Sequence, residues 1–403
     1  MAEQDIYGGR LGTGPVPLDK AAQHLPHRSG AEQDLYASRF GSAFEQARQS
    51  LPHHHAGTAA GSRGPEPVPE QEVYGSHFHP GGQAPSAAIG LLQSTVLPSF
   101  SFQATLSTIA YGIARYTDRA DVKDWLWPAG MTANAWWSAV GTRVVNDGVS
   151  ILDAWSGLSY SEKLLLGGVT AWGVRLLHRI ATRGIQRRRD DPRYEAAKKD
   201  PGFWNKALFT MFVPEAVAQT VISLPFVLPF RAVGESVSAS LVTESSGLYQ
   251  SLAVFLFSTG FALEVLADAR LACYKKNGED GLCRDNVWSI VRHPNYLGDA
   301  LIHASFPILL IGAGLFHPLT ALGPIANYVF LRFIGGDREN EQAQEERYSK
   351  EDPLKAQQFQ EYRQEKNSFW PALKEVANQW SWVVILAGTG GVLLEKGVRS
   401  LVA

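Results

Sequence analysis

The sequence predicts an all-α fold: a polytopic transmembrane helical bundle of about seven or eight membrane segments behind a disordered N-terminal tail. Three observations carry this. From Ala87 onward, apolar stretches of membrane-spanning length recur, bounded by Arg, Lys, Trp and Tyr, as lipid-facing helices and their interfacial anchors require. Residues 1–85 are rich in Gly, Pro, Gln, Ser and His and contain no long apolar run, so they cannot bury enough surface to offset ordering entropy. Between Pro294 and Leu315, polar Asn295, Asp299 and His303 recur every fourth residue in an otherwise apolar helix, on one face of it.

The tail holds a degenerate repeat: Glu3-Gln4-Asp5-Ile6-Tyr7, Glu32-Gln33-Asp34-Leu35-Tyr36 and Glu70-Gln71-Glu72-Val73-Tyr74. Each copy is followed at the fourth residue by Leu11, Phe40 or Phe78. Such copies suit a short motif for a protein partner, since repetition raises effective concentration; duplication without a partner is the alternative. His53, His54 and His55 read as a solvated polar tract, and no metal site is expected. The first 30 residues lack the continuous apolar core of a secretory signal, and Glu3 and Asp5 break the acid-poor pattern of a mitochondrial presequence.

Membrane segments are expected near 88–113, 127–154, 160–180, 205–230, 246–271, 298–315, 318–334 and 380–396. The second is the weakest, because Arg143, Asn146, Asp147 and Asp153 interrupt it. Arg183, Arg187, Arg188, Arg189, Arg193, Lys198 and Lys199 crowd the loop after the third segment, whereas 232–245 holds no Lys or Arg. The positive-inside rule makes that basic loop cytosolic, together with Lys275, Lys276, Arg284, Arg292 and the polar stretch 335–378. An even number of segments then places both termini on the far side. Net charge is −2, from 37 basic and 39 acidic residues, which argues against nonspecific nucleic-acid binding. The two cysteines, Cys273 and Cys283, share one short polar loop and read as reduced thiols.

Arg292-His293-Pro294-Asn295-Tyr296-Leu297-Gly298 is the most informative stretch. Pro294 suits the first turn of a helix, where its missing N–H costs nothing, and this puts Arg292 and His293 in the preceding loop. The exposed N–H groups and positive dipole end expected there, with Arg292 beside them, suit a phosphate or other anionic cofactor group. An interfacial loop whose Arg and His meet lipid headgroups is the alternative.

Several separated motifs carry a resemblance from about Asp121 to Pro371. They are Asp121-Val122-Lys123-Asp124 with Trp127, Trp172-Gly173-Val174-Arg175-Leu176, Asp191-Pro192-Arg193-Tyr194, Gly260 to Asp268 leading into Arg292 to Asp299, and Tyr362 with Ser368-Phe369-Trp370-Pro371. In this order they resemble the DUF1295 family of membrane proteins, related to the C-terminal domain of steroid 5-alpha-reductases and more distantly to sterol reductases. Asp299 stands where Glu is usual, and Arg270 where Gln is frequent. The tail and the apolar segment after Trp380 fall outside the resemblance.

The resemblance implies a helical membrane domain that transfers hydride from NADPH to a carbon–carbon double bond of a hydrophobic lipid or sterol-like substrate in the bilayer, the endoplasmic reticulum being the expected membrane. On that reading Arg175, Arg193, Arg292 and Arg332 are candidate phosphate ligands, with His293 beside them, and Asn295 orients the nicotinamide. Tyr296 is the first candidate proton donor, supported by Asp299 or Glu264. Glu264 and Asp268, four apart on one helix face, have a structural alternative: an ion pair with Arg175 or Arg270. Two other functions remain open. Isoprenylcysteine carboxyl methyltransferases carry a similar Arg-His-Pro-x-Tyr-x-Gly signature and a charged stretch like Asp337-Arg338-Glu339-Asn340-Glu341, and use S-adenosylmethionine. An inactive membrane scaffold recruiting partners through the tail is the third.

Overall fold

A computed structural model describes residues 90–402 apart from 188, 232–245, 279–280 and 335. The tail, its Tyr7, Tyr36 and Tyr74 repeats and the His53 to His55 tract lie outside the described residues, as does the loop 232–245. Among the described residues all regular structure is helical. The principal helices are α1 (Leu97–Thr117), α2 (Val122–Trp136), α3 (Tyr160–Arg187), α4 (Val213–Ile222), α5 (Leu224–Arg231), α6 (Ser246–Asn277), α7 (Pro294–Ala313), α8 (Leu322–Phe333), α9 (Asp337–Glu351), α10 (Pro353–Glu365) and α11 (Gln379–Val402).

Every expected membrane segment is mainly helical where it is described, though 127–154 and 205–230 each fall on several helices, and the segments differ as spans. By length and composition α6, α7 and α11 can each cross a membrane, and a fourth span forms if Phe203–Ile222 and α5, bent by 63°, count as one. The other segments are helical but too short or too polar on that measure alone. Their polarity points inward. Thr95, Ser99, Gln103 and Ser107 form a buried stripe on the α1 side of a seam with α2 and α4. There Asn134 Nδ2 donates to Ser99 Oγ at 2.6 Å, Gln219 Nε2 donates to Glu215 Oε1 at 3.0 Å, and Lys123 pairs with Glu215. Gly130 makes room for the Gln103 and Gln219 amides, whose oxygens lie 2.8 Å from where a Cβ would stand. The bonds that cross between helices, Asn134 to Ser99 and Lys123 to Glu215, let polar helices sit in lipid.

The weak second segment is broken as its charges suggested. α2 runs through a π turn, Trp137–Gly141, into Thr142–Asn146, and a short helix, Ile151–Ser156, restarts after a Ser150 cap that accepts the Asp153 N–H at 3.1 Å. Arg143 folds back to the Ala154 carbonyl at 2.9 Å, which gives its Nη1 an acceptor within the turn.

α6 and α7 pack antiparallel with backbones in contact. A Cβ on Gly260 would lie 2.4 Å from the Gly298 carbonyl oxygen, and one on Gly312 would lie 3.0 Å from the Ser246 oxygen one helix length away. Only small residues permit this approach. α11 lies on the other side of α6, where Gly388 and Gly391 pass Thr259 and Ser258. Buried Glu395 pins its far end by accepting from Gln250 Nε2 at 2.8 Å and Tyr160 Oη at 3.1 Å. These contacts bring the end of α3 at Arg187, the end of α6 at Lys275 and Lys276, the start of α7 and the end of α8 at Arg332 to one end of the bundle. There the motifs near Asp121 and Asp191 meet. Asp190 accepts the backbone N–H groups of Ala120 and Asp121, and Tyr194 donates to Asp124 at 2.7 Å.

Candidate functional site

α7 begins at Pro294 with His293 as its N-cap, as the proline predicts. The expected exposed anion-binding end is a different matter. Arg292 and His293 are 8% and 5% exposed, because the chain returns from far along the sequence to cover them. The Arg292 N–H donates to the Asn367 carbonyl and the His293 N–H to the Ser368 carbonyl, both at 3.0 Å. Their side chains meet one acceptor that sequence reasoning did not single out as a partner, Glu341 on α9. Arg292 grips it with Nε at 2.8 Å and Nη2 at 2.9 Å, and His293 Nε2 stands 3.0 Å from its Oε1. Burial raises the Glu341 pKa, but the hydrogen bonds from His293 and Arg292 and their charge outweigh it, holding the carboxyl down at about 2.

Arg332, at the end of α8, pairs with Asp337 and donates to Ser368 Oγ at 3.0 Å, with its guanidinium 5.3 Å from the Phe369 ring centre. Ser368 donates to Asp337 as well. Tyr362 donates to the Trp288 carbonyl and, at 3.2 Å, to that of Val291, and burial pushes its phenol above the ordinary value. The closing motif therefore straps the start of α7 to the helices that follow α8.

One turn deeper a second cluster lies inside the apolar bundle. α3 presents Trp172 and Arg175 three residues apart, hence on one face. Trp172 Nε1 donates to Asp299 Oδ1 at 2.7 Å, and Asn327 Nδ2 on α8 donates to Asp299 Oδ2 at 2.8 Å. Arg175 bridges α6, donating to Glu264 Oε2 at 2.7 Å and pairing with Asp268. The structural alternative for Glu264 and Asp268 is thus realised with Arg175, while Arg270 pairs with Asp285 at 2.8 Å. Gly173, between them, lets α3 close on α2, where a Cβ would lie 3.2 Å from the Pro128 oxygen. His303 is fully buried, edge-on to Trp172 at 4.9 Å and 4.0 Å from Asp299.

A narrow crevice joins the two levels, lined by Arg175, Leu176, Glu264, Asp268, Asn295, Tyr296, Asp299 and Leu331. The Tyr296 ring stacks on His293 with centres 5.3 Å apart. Its volume is about 20 Å³, room for roughly one water. The fold thus brings Arg175, Glu264, Asn295, Tyr296 and Asp299 to one crevice. It sets Arg292 and His293 on Glu341, and Arg332 on Asp337, at the adjoining end. Arg193 falls in the helix Pro192–Ala197, and its side chain lies outside what is described.

The matching family model, described as a protein of unknown function (DUF1295), covers residues 110–366. The chain belongs to the DUF1295 family. No curated protein and no solved structure matches it. The DUF1295 match includes every expected site residue and both carboxylates, Asp337 and Glu341, that the basic side chains hold; α11 lies beyond it. Sequence reasoning missed the roles of Asn327, Asp337, Glu341 and Ser368. Asn327 carried a detectable signal, an amide in an apolar helix, whereas Glu341 sits among so many charges that no local pattern distinguishes it.

Proposed function

We propose that this DUF1295 chain is an integral-membrane, NADPH-dependent reductase acting on a carbon–carbon double bond of a steroid- or lipid-like substrate in an organellar membrane such as the endoplasmic reticulum. One observation carries the reading: Asn295, Tyr296 and Asp299 from α7 converge with Arg175 and Glu264 on a single crevice inside an apolar bundle. Lipid-embedded ionisable groups are costly and mark functional sites by default. The motif resemblance to steroid 5-alpha-reductases supplies the reaction class.

The residues suit NADPH chemically. A guanidinium fork with an imidazole beside it, holding a carboxylate at 2.8 to 3.0 Å, would serve a phosphate in the same way. At about 20 Å³ the crevice is too small for a nicotinamide ring, so binding requires its walls to part. NADPH, when bound, supplies the hydride. Asn295 has the donor and acceptor needed to orient a carboxamide. Both Asp299 oxygens accept hydrogen bonds, the arrangement of a fixed acceptor and not of an acid aimed at substrate. Glu264 is engaged by Arg175. On this reading Tyr296 is the acid that delivers the proton to the carbon beside the hydride acceptor, with Asp299 positioning the helix that carries it.

Titration of the detergent-purified chain with NADPH and with S-adenosylmethionine tests this. Saturable NADPH binding, weakened in Arg292→Ala, is the expected result. Binding of S-adenosylmethionine alone would instead assign the signature to methyl transfer.

A further inference from the structure

Arg292 and His293 are already engaged, and what engages them is an anion of the chain itself. The Glu341 carboxylate lies side-on in the Arg292 fork, offering the same two-oxygen face that a phosphate presents. All three side chains are at least nine-tenths buried, so no second anion fits beside Glu341. The remaining Arg292 nitrogen, Nη1, donates to the carbonyls of Lys366 and, at 3.3 Å, Arg363. One guanidinium thus holds α9 by a side chain and the end of α10 by its backbone.

Those two helices form a cover. Tyr348 of α9 and Phe359 of α10 pack on Leu282, Gln358 closes over Gly281, and Tyr362 is bonded to the carbonyls of Trp288 and Val291. Next in the chain to Leu282, Cys283 is 2% exposed. Asp337, held by Arg332 and Ser368, fixes the start of α9 independently of Glu341. Asp337 and Glu341 stand one turn apart and hold the first turns of α9, while the far end of the cover rests on Tyr362 and on the carbonyls that Arg292 Nη1 reaches.

We propose that Glu341 is a built-in competitor for the phosphate subsite: its carboxylate fills the Arg292 and His293 anion site and ties α9 of the cover to the start of α7, and a phosphate-bearing nucleotide binds by displacing it. This rests on the reading of Arg292 and His293 as phosphate ligands and adds that cofactor binding is a competition decided at Glu341. A carboxylate held at full charge near neutral pH is a true rival to phosphate, and removing its charge frees a preformed cationic fork.

The test uses the full chain carrying Cys273→Ser, which leaves Cys283 as the sole thiol. Inorganic pyrophosphate and NADPH are titrated against this parent and against the same chain with Glu341→Gln. The expected result is binding about tenfold or more tighter in the Gln variant, the scale of removing one charge-assisted rival. Saturating pyrophosphate should also speed maleimide labelling of Cys283 in the parent severalfold over sodium chloride of equal ionic strength, as the cover loosens. If Glu341→Gln does not fold, the labelling of the parent decides alone. Equal or weaker binding in the variant, with Cys283 equally protected with and without pyrophosphate, overturns the competitor while NADPH binding to the parent stands. Failure of every form to bind either ligand overturns it together with the reading beneath it.

Discussion

Trp172 donates its indole N–H to Asp299 at 2.7 Å, and through this bond α3 and α7 share one buried carboxylate. Asn327 completes the arrangement from α8, so a single side chain ties three helices at the level of the crevice. Trp172→Phe keeps most of the ring volume and removes the donor. It should lower stability by about 1–3 kcal/mol, the cost of leaving a buried acceptor under-satisfied, seen as a fall in the melting temperature of the extracted protein.

Arg175 carries a heavier load, because it pairs with both Glu264, which it leaves stranded if lost, and Asp268, which Arg179 also approaches at 3.5 Å. Arg175→Gln should cost about 3–5 kcal/mol by stranding buried charge. Adding Glu264→Gln and Asp268→Asn to it should restore much of the loss. A triple variant no more stable than the single one would show that packing and not charge is what Arg175 supplies.

The backbone contact between α6 and α7 predicts a sharp contrast between glycines. Gly298→Ala places a Cβ 2.5 Å from the Gly260 carbonyl oxygen, so the helices must move apart, at about 1–3 kcal/mol. Gly112→Ala, in α1, meets nothing within 4 Å. By helix propensity alone it should stabilise by up to about 1 kcal/mol. Thermal unfolding of the two variants side by side measures the difference.

Glu341 gives a pH signature. Its folded pKa, about 2, lies below the ordinary glutamate value of 4.5, so its contribution to stability is present above the unfolded value and lost as pH falls through the folded one. Between about pH 4.5 and 2 the parent should therefore lose more stability than Glu341→Gln. Curves parallel throughout the acid range would mean that Glu341 has the same affinity for its proton folded and unfolded.

Tyr296→Phe separates chemistry from cofactor binding. The ring can still stack on His293, so NADPH affinity should stay close to the parent's. Turnover should fall about 100-fold or more, the usual scale for losing a general acid. The substrate is found first, by comparing lipid extracts of cells making parent and variant for species that differ by two hydrogens.

Helices and their order were legible in the sequence because apolar runs of spanning length and the proline at 294 act locally. So was the face shared by Asn295, Asp299 and His303, which follows from helical periodicity alone. The charge pattern that marked the second segment as weak also acts within a few residues, and that segment does break there. Other features depended on packing. The Gln103 to Glu215 seam is half legible: Thr95, Ser99, Gln103 and Ser107 recur every fourth residue, but only the partners that packing brings from α2 and α4 explain their polarity. Arg292 read as a free cation beside a helix end, since nothing nearby in the chain opposes it; its acceptor lies 49 residues away, in a segment whose many carboxylates look alike until α9 folds back. The sequence determined which groups were available to the site. Tertiary structure decided which were paired, because ion pairs and hydrogen bonds form between groups that meet in space, whatever their separation along the chain.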